Sequence, residues 1–348
     1  DEQSSADSGP GLIPDIGFVL PLDDSKWTLG GGITVNSGML ASFDFTDPPG
    51  TLGVSYGRQT HEAQFSVINA SAALAYQVND NLSVGAQMGM AYNRNQLLAP
   101  YIFQSHPALA GLKVLVDLDV DDLSPSFSLG MDYQSDEGRR YYAAYSIENK
   151  FSAKGDTRGN LGQLGLFAQD DFAYDTQVNT AMPAFAMAGT TWPATDNLTL
   201  GIQIDWIGWG SAFEDLPILL TNGTNDELNA LLGDSSIADT APLDWENQVT
   251  FKVGGEYSAD ARVYRLGYEY SNVPVPTSTM TPMTGATLQH ALSAGVSMPF
   301  NGHTIDLSYR LGMDSGTTMI DASDLQGGEY AGSRLDLMVH SISVAIEF

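Results

Sequence analysis

The chain closes on His340, Ser341, Ile342, Ser343, Val344, Ala345, Ile346, Glu347 and Phe348, and the alternation in this stretch decides the fold. Ile342, Val344, Ile346 and Phe348 are apolar, whereas Ser341, Ser343 and Glu347 are polar. A period of two gives a strand with one greasy and one wet face. The pattern recurs upstream. Leu82, Val84, Ala86, Met88, Met90 and Tyr92 share one face, with Ser83, Gly85, Gln87, Gly89 and Ala91 on the other. Phe127, Leu129, Met131 and Tyr133 alternate with Ser126, Ser128, Gly130 and Asp132, and Tyr141, Ala143, Tyr145 and Ile147 continue the series.

Composition narrows the setting of these strands. Lys plus Arg number 14 against 42 Asp plus Glu among 348 residues, a formal charge of −28. Phosphate binding needs clustered cations, so nucleic acid is not an expected partner. With no Cys, disulfides, thiolate metal sites and cysteine nucleophiles are excluded. No apolar run reaches the roughly 20 residues of a membrane helix. A membrane crossing must therefore use strands, and the 15 Tyr, 14 Phe, 5 Trp and 36 Gly suit the aromatic girdles and crowded wall of a β-barrel.

Connections sort by length. Short turns fall at 23–26 (Asp23, Asp24, Ser25, Lys26), 78–81, 135–138, 193–197, 258–261 and 299–303; long ones fall near 39–61, 95–122, 153–174, 212–243, 274–284 and 315–333. Short turns on one rim and long loops on the other mark an outer-membrane barrel. The count is about thirteen strands, the first running toward the short-turn rim, whereas single-chain bacterial barrels have an even number. One up-going strand is therefore expected before Asp1, with 1–11 part of an external loop. No signal peptide opens the chain, so any export signal has been removed.

Charge placement obeys the same grammar. Tyr264, Leu266, Tyr268 and Tyr270 form a lipid face opposite Arg265 and Glu269, and Ile305, Leu307, Tyr309 and Leu311 one opposite Asp306 and Arg310. Arg265, Glu269, Asp306 and Arg310 are lumen charges, either a paired wall network or, through an arginine, a carboxylate contact. Two long loops are greasier than solvated loops should be. Leu97, Leu98, Tyr101, Ile102, Phe103, Leu109 and Leu112 fill the first; Phe213, Leu216, Ile218, Leu219 and Leu220 fill the second. A short helix over Asp226 to Leu232, capped near Asn225 and ended by Gly233, adds Leu228, Leu231 and Leu232. Two readings follow: the loops pack on each other as a lid, or they also form a hydrophobic capture groove. Asp117, Asp119, Asp121 and Asp122 lack the Gly and distal Glu of an EF-hand and read as a solvated strand end. No metal, cofactor or catalytic residue is expected; HExxH is absent, and no histidine sits in a convincing nucleophile setting.

The terminal Phe348 resembles the C-terminal signature of bacterial outer-membrane barrels. Ile13 to Gly38, Asn69 to Asn93 (NASAALAYQVNDNLSVGAQMGMAYN), Met182 to Ala184, Asp205 to Phe213 (DWIGWGSAF) and Arg265 to Pro276 (RLGYEYSNVPVP) together resemble the FadL family of outer-membrane transporters for long-chain fatty acids and other hydrophobic compounds. The resemblance covers nearly the whole chain. It implies an all-β, transmembrane antiparallel barrel of about fourteen strands when complete, forming one domain over residues 1–348 in the outer membrane of a Gram-negative bacterium. It also implies a monomer whose lumen is blocked by an N-terminal hatch. That hatch and the first strand are absent before Asp1, and a separate N-terminal fragment is an expected partner, beside outer-membrane lipid and lipopolysaccharide. A hydrophobic small molecule would be captured between the external loops at 95–122 and 212–243. It would leave sideways through a kink in the third strand, expected near Phe65 to Ala75. The rivals are an aqueous porin, which would want more lumen cations, a barrel enzyme, and a structural barrel.

Overall fold

The computed structural model describes residues 2–5, 11–23, 25–50 and 53–348; Asp24 of the expected first turn and most of 1–11 lie outside them. The strands are β1 Ile16–Pro21, β2 Trp27–Thr46, β3 Arg58–Gln77, β4 Leu82–Ile102, β5 Lys113–Gln134, β6 Arg140–Ser146, β7 Asn149–Asn160, β8 Asp171–Met182, β9 Phe185–Thr195 and β10 Leu198–Ile207. After helix α1 Trp209–Ala212 come β11 Asp215–Thr221, helix α2 Asp226–Leu232, β12 Ile237–Pro242, β13 Gln248–Ala259, β14 Arg262–Ser271, β15 His290–Phe300 and β16 His303–Met313. A two-residue hairpin, β17 Thr318–Met319 and β18 Arg334–Leu335, precedes β19 Met338–Glu347. All pairings are antiparallel.

β6 with β7, β8 with β9, β10 with β11 and β12 with β13 are successive halves of one crossing each, so among the described residues the elements form a barrel wall of thirteen crossings. Below the breaks the wall runs β5–β6–β9–β10–β13–β14–β15–β16–β19. Above them a second path, β5–β7–β8–β11–β12, continues the sheet outward. Among the described residues, registers join β1 to β2 and β19 to β16, on one side each. Glu2 bonds Arg58 and the Thr46 amide, and Ser4 bonds the Asp44 carbonyl, so residues 2–5 sit at the long-connection rim.

Alternation translates directly into two environments. Val84, Met88, Met90 and Tyr92 of β4 are exposed on the outside, as are Leu129, Met131 and Tyr133 of β5. Trp27, Tyr133, Tyr141, Tyr257, Tyr264, Phe300 and Phe348 ring the short-turn side, and Tyr92, Tyr145, Trp206, Tyr268, Tyr270 and Tyr309 lie higher, all outward and exposed. The ten steps from Leu82 to Tyr92 rise about 33 Å along the strand, or about 25 Å along the normal at a tilt near 40°. That matches the apolar band of an outer-membrane barrel.

Above this band the strands continue into water, which corrects the sequence reading. Residues 95–122 are mostly strand, since β4 reaches Ile102 and β5 starts at Lys113; the same holds for 153–174, and β2 extends to Thr46 inside the supposed 39–61 connection. Asp117, Asp119, Asp121 and Asp122 lie on β5, with Asp119 paired to Arg94 at 2.5 Å. The stretch Phe65 to Ala75, where a kink is expected, pairs with β4 without a shift, in a register unbroken from Glu62 to Gln77. The irregularity lies one strand earlier. The β2–β3 register shifts between Val35 and Ser37, leaving Asn36 as a bulge.

The face assignment has a direct consequence. Met88→Arg, midway up the lipid face, is expected to cost about 2–4 kcal/mol, whereas Gln87→Arg, one residue away on the lumen side, stays within about 1 kcal/mol. Urea titration in vesicles, read by the heat-modifiable gel shift, checks the contrast.

Candidate functional site

Where β10 and β12 leave the wall, at 208–214 and 243–247, the chain turns inward and carries its aromatics across the lumen. Trp209, Phe213 and Trp245 are buried with ring centroids 4.9–5.0 Å apart. Phe213 also meets Phe65 of β3 edge-on at 5.6 Å. The 272–289 and 314–337 connections complete this cluster with Val275, Met280, Ile320, Ala322, Tyr330 and Leu335, against Met39 and Phe45 of β2. The two connections are stitched together, the amides of Asp321 and Ala322 donating to the Thr277 carbonyl at 3.0 and 2.9 Å. The mouth is thus sealed by an apolar core made mostly of loop residues.

A second cluster lies farther out, between the extended strands. Phe103, Leu109, Val114, Val116, Leu161, Phe172, Tyr174, Leu220, Leu228 and Ile237 are buried together, with Leu97, Tyr101, Leu112, Ile218 and Leu232 packed against them. The void left between them is about 10 Å³, no more than one water needs. The two apolar segments singled out in sequence therefore meet. Exceptions are specific: Phe213 belongs to the inner cluster, Leu216 packs with Leu118, Val120, Ala153 and Val178, and Ile102 is buried outside both clusters. Leu98, Leu219 and Leu231 are exposed. α2 forms as its cap residues dictate: the Asn225 side chain accepts from the Leu228 amide and Gly233 takes the left-handed conformation.

Polar contacts lock these segments. Asp239 of β12 accepts from the Tyr101 hydroxyl at 2.7 Å, from the amides of Gln104, Ser105 and His106 at 2.9, 2.6 and 3.0 Å, and from the Ser105 hydroxyl at 2.9 Å. Burial pushes its carboxyl up, but these hydrogen bonds outweigh that and hold it below the ordinary range. Lys113 is fully buried and binds Asp47 at 2.8 Å, the Pro48 carbonyl at 2.5 Å and Glu329 at 2.5 Å, tying two connections to one ammonium at the start of β5. Burial raises the Glu329 carboxyl, with Lys113 pulling against that shift. The sequence does not disclose Asp239 or this triad, because Tyr101 and Asp239, and Lys113 and Glu329, lie far apart along the chain.

Below the aromatic cluster the lumen is polar. Ser126 donates to Asn69 at 2.7 Å, Gln87 to Ser71 at 2.6 Å and Tyr142 to Gln203 at 2.9 Å, and Lys252 meets Asp205 at 2.8 Å. The four lumen charges form two sets. Arg265 donates to Glu256 at 2.7 Å and reaches Asp306 at 3.5 Å; Arg310 makes two bonds to Glu269 at 3.3 and 3.2 Å.

Asp239→Asn removes a charged acceptor worth about 1.5–3 kcal/mol per hydrogen bond, so amide exchange at 104–106 should quicken while β14–β16 stay protected. Because the folded carboxyl titrates below its unfolded value of about 3.8, its contribution is present above that pH and fades as pH falls through the folded value. Protection factors of the 104–106 amides should be unchanged from pH 7 to 5 and fall only below about 3.8.

The matches to known proteins agree with this architecture. The model of the outer membrane protein transport protein family (OMPP1/FadL/TodX) matches residues 2–346. Outer membrane protein P1 of Haemophilus influenzae is 23% identical over 286 residues, covering 74% of this chain and 56% of that protein; the chain thus spans a little over half the length of this relative. The Ralstonia pickettii toluene transporter TbuX superposes with a TM-score of 0.73 at 17% identity, over 99% of this chain and 84% of that one. The Pseudomonas putida toluene transporter TodX gives 0.70 at 18% identity, over 97% and 82%. At such identities the superpositions speak for the fold, and the family match over nearly every residue makes this outer-membrane β-barrel a member of the outer membrane protein transport protein (OMPP1/FadL/TodX) family.

Proposed function

We propose that the protein is a passive outer-membrane channel for hydrophobic small molecules, which enter past the aromatics of the apolar mouth and leave sideways through the wall. The observation that carries this reading is the combination of a greasy mouth, a polar lumen and a local break in the wall. An apolar molecule drawn to the mouth gains about 0.8 kcal/mol per buried CH₂. Descending past Asn69, Gln87, Gln203 and the paired charges would give that gain back. A sideways exit avoids this. β1 pairs with β2 only from Pro21↔Thr28 to Ile33↔Ile16, Asp15 accepts the Val35 amide at 3.0 Å, and the Asn36 bulge follows at once. Bulges bend a strand and interrupt its ladder, so this is the place where the wall parts most readily.

Charge pairing favours an uncharged ligand. Lys113, Lys252, Arg265 and Arg310 each already face a carboxylate of the chain. A fatty acid would have to displace one of these partners, whereas a hydrocarbon displaces only apolar contacts. Monoaromatic hydrocarbons, the toluene named for TbuX and TodX among them, therefore rank ahead of long-chain fatty acids. An aqueous porin is disfavoured by the sealed mouth.

Deleting Asn36 restores an unshifted β2–β3 register and tests the exit. In cells lacking their own hydrocarbon channels, radiolabelled toluene uptake should fall to background while the barrel still shows its heat-modifiable gel shift. Uptake at the parent rate by a folded deletion variant would sink the lateral route.

A further inference from the structure

Just inside the Asn36 bulge the lumen wall carries a small apolar island. Ser37, the residue after the bulge, pairs with Val67 of β3. Val67 is buried together with Ala91 of β4 and Phe151 of β7, and Phe65 and Met182 pack against them. Phe65 in turn meets Phe213 of the mouth cluster edge-on at 5.6 Å, so the island joins the mouth to the bulge. Its borders are polar. Two residues along β3 from Val67, Asn69 accepts from Ser126 at 2.7 Å; two along β4 from Ala91, Asn93 donates to the Ser66 carbonyl at 3.1 Å.

The segment that carries Phe151 is released on one side. β5 pairs with β6 as far as Ser128↔Ser146 and with β7 only from Asp121↔Lys154 outward. Between them a single backbone bond remains, from the Ile147 amide to the Phe127 carbonyl at 3.2 Å. Pro125 lies in this stretch of β5 and has no N–H to give. Side chains stand in for the missing ladder: Asn149 donates to the Pro125 carbonyl at 2.8 Å, and Asp122 accepts from the Ser152 amide at 2.7 Å. β8 holds the segment from its other side, where Phe151 faces Thr180. Phe151 therefore shifts without breaking a ladder to β5.

We propose that Phe151 sets the size of the ligand passed to the exit: its ring closes the island at rest, and a ligand reaches the Asn36 bulge by taking the place of that ring. This deepens the transport reading and rests on it. The occupant follows from the closure. Val67, Ala91 and Phe151 are all buried, so a guest gains room only as Phe151 yields, and what yields is one benzene ring. An uncharged monoaromatic hydrocarbon replaces it in kind. A fused bicycle reaches past the island onto Asn69 or Asn93, where its extra surface meets buried amides instead of apolar contacts.

Uptake of radiolabelled toluene and naphthalene, measured side by side in cells lacking their own hydrocarbon channels, tests this. Phe151→Ala should raise the naphthalene-to-toluene uptake ratio about tenfold over the parent, the scale of discrimination that a small size step in an apolar pocket supplies. Ala91→Phe should cut toluene uptake about tenfold. The double variant Ala91→Phe/Phe151→Ala moves the ring within the cluster at constant volume and should restore it, a rescue that a merely structural role would not give. The heat-modifiable gel shift is the folding control for all three. An unchanged ratio in folded Phe151→Ala, unchanged toluene uptake in folded Ala91→Phe, or a folded double variant no better than Ala91→Phe would overturn the gate and leave the transport reading standing. A parent protein that takes up no toluene would overturn the transport reading and the gate with it.

Discussion

Every backbone N–H and C=O inside a bilayer must find a partner within the protein, because hydrocarbon offers none and each orphan costs several kcal/mol. The rest of the structure follows from this requirement. Strands can meet it only side by side, so the chain is spent on antiparallel crossings, and side chains then alternate between lipid and lumen. The aromatic rows mark where the constraint ends. Between Leu82 and Tyr92 the β4 ladder is unbroken on both sides, and it is above this height that the chain gains freedom.

That freedom is used at one level. β6 gives way to β7 just past Tyr145, β10 ends just past Trp206, and the paired halves of the neighbouring crossings break beside them. Water and other loops can satisfy the released backbone there, as when the Gly208 amide donates to the Ala184 carbonyl. The segments so freed carry Trp209, Phe213 and Trp245 into the lumen. Asn36 stands apart. Its bulge lies within the ladder itself, with the Asp15 carboxylate meeting the Val35 amide that a strand would otherwise pair. The bulge is thus accommodated without leaving that amide unpaired, the feature on which the proposed sideways exit rests.

What could be read from the residues tracks how local the information is. The alternation of β4, β14, β16 and β19, the short turns and the Asn225–Gly233 helix depend on neighbours in sequence, and the structure has them in place. In sequence the outward continuation of β4 and β5 reads as loop, because Leu97 to Leu112 is apolar without a lipid face to explain it; the explanation is the partner cluster from 218–237. Asn36 is a polar residue between Val35 and Ser37, and nothing in that run separates a bulge from ordinary alternation, so the kink was expected one strand too late. The Lys113 and Asp239 contacts join loops more than 60 residues apart, and single-sequence patterns hold no record of such pairs.

On the proposed function, the sealed mouth and the attraction for apolar ligands are one property, and this sets the energy scale of opening. A hydrocarbon of about seven carbons brings about 5–6 kcal/mol of burial free energy at about 0.8 kcal/mol per carbon. An entry step that disrupts more than this would not proceed at useful ligand concentrations. Breaking the Lys113 triad alone would cost about 3–5 kcal/mol, and unpacking the outer cluster with it would exceed the limit. A rotation of Phe213 away from Phe65 and Trp245 forfeits a few aromatic contacts, each worth about 0.5–1.5 kcal/mol, and the incoming ring replaces them in kind. On the proposed route the Asp239 and Lys113 locks would therefore stay closed as a ligand passes, framing any movement of the Trp209, Phe213 and Trp245 side chains.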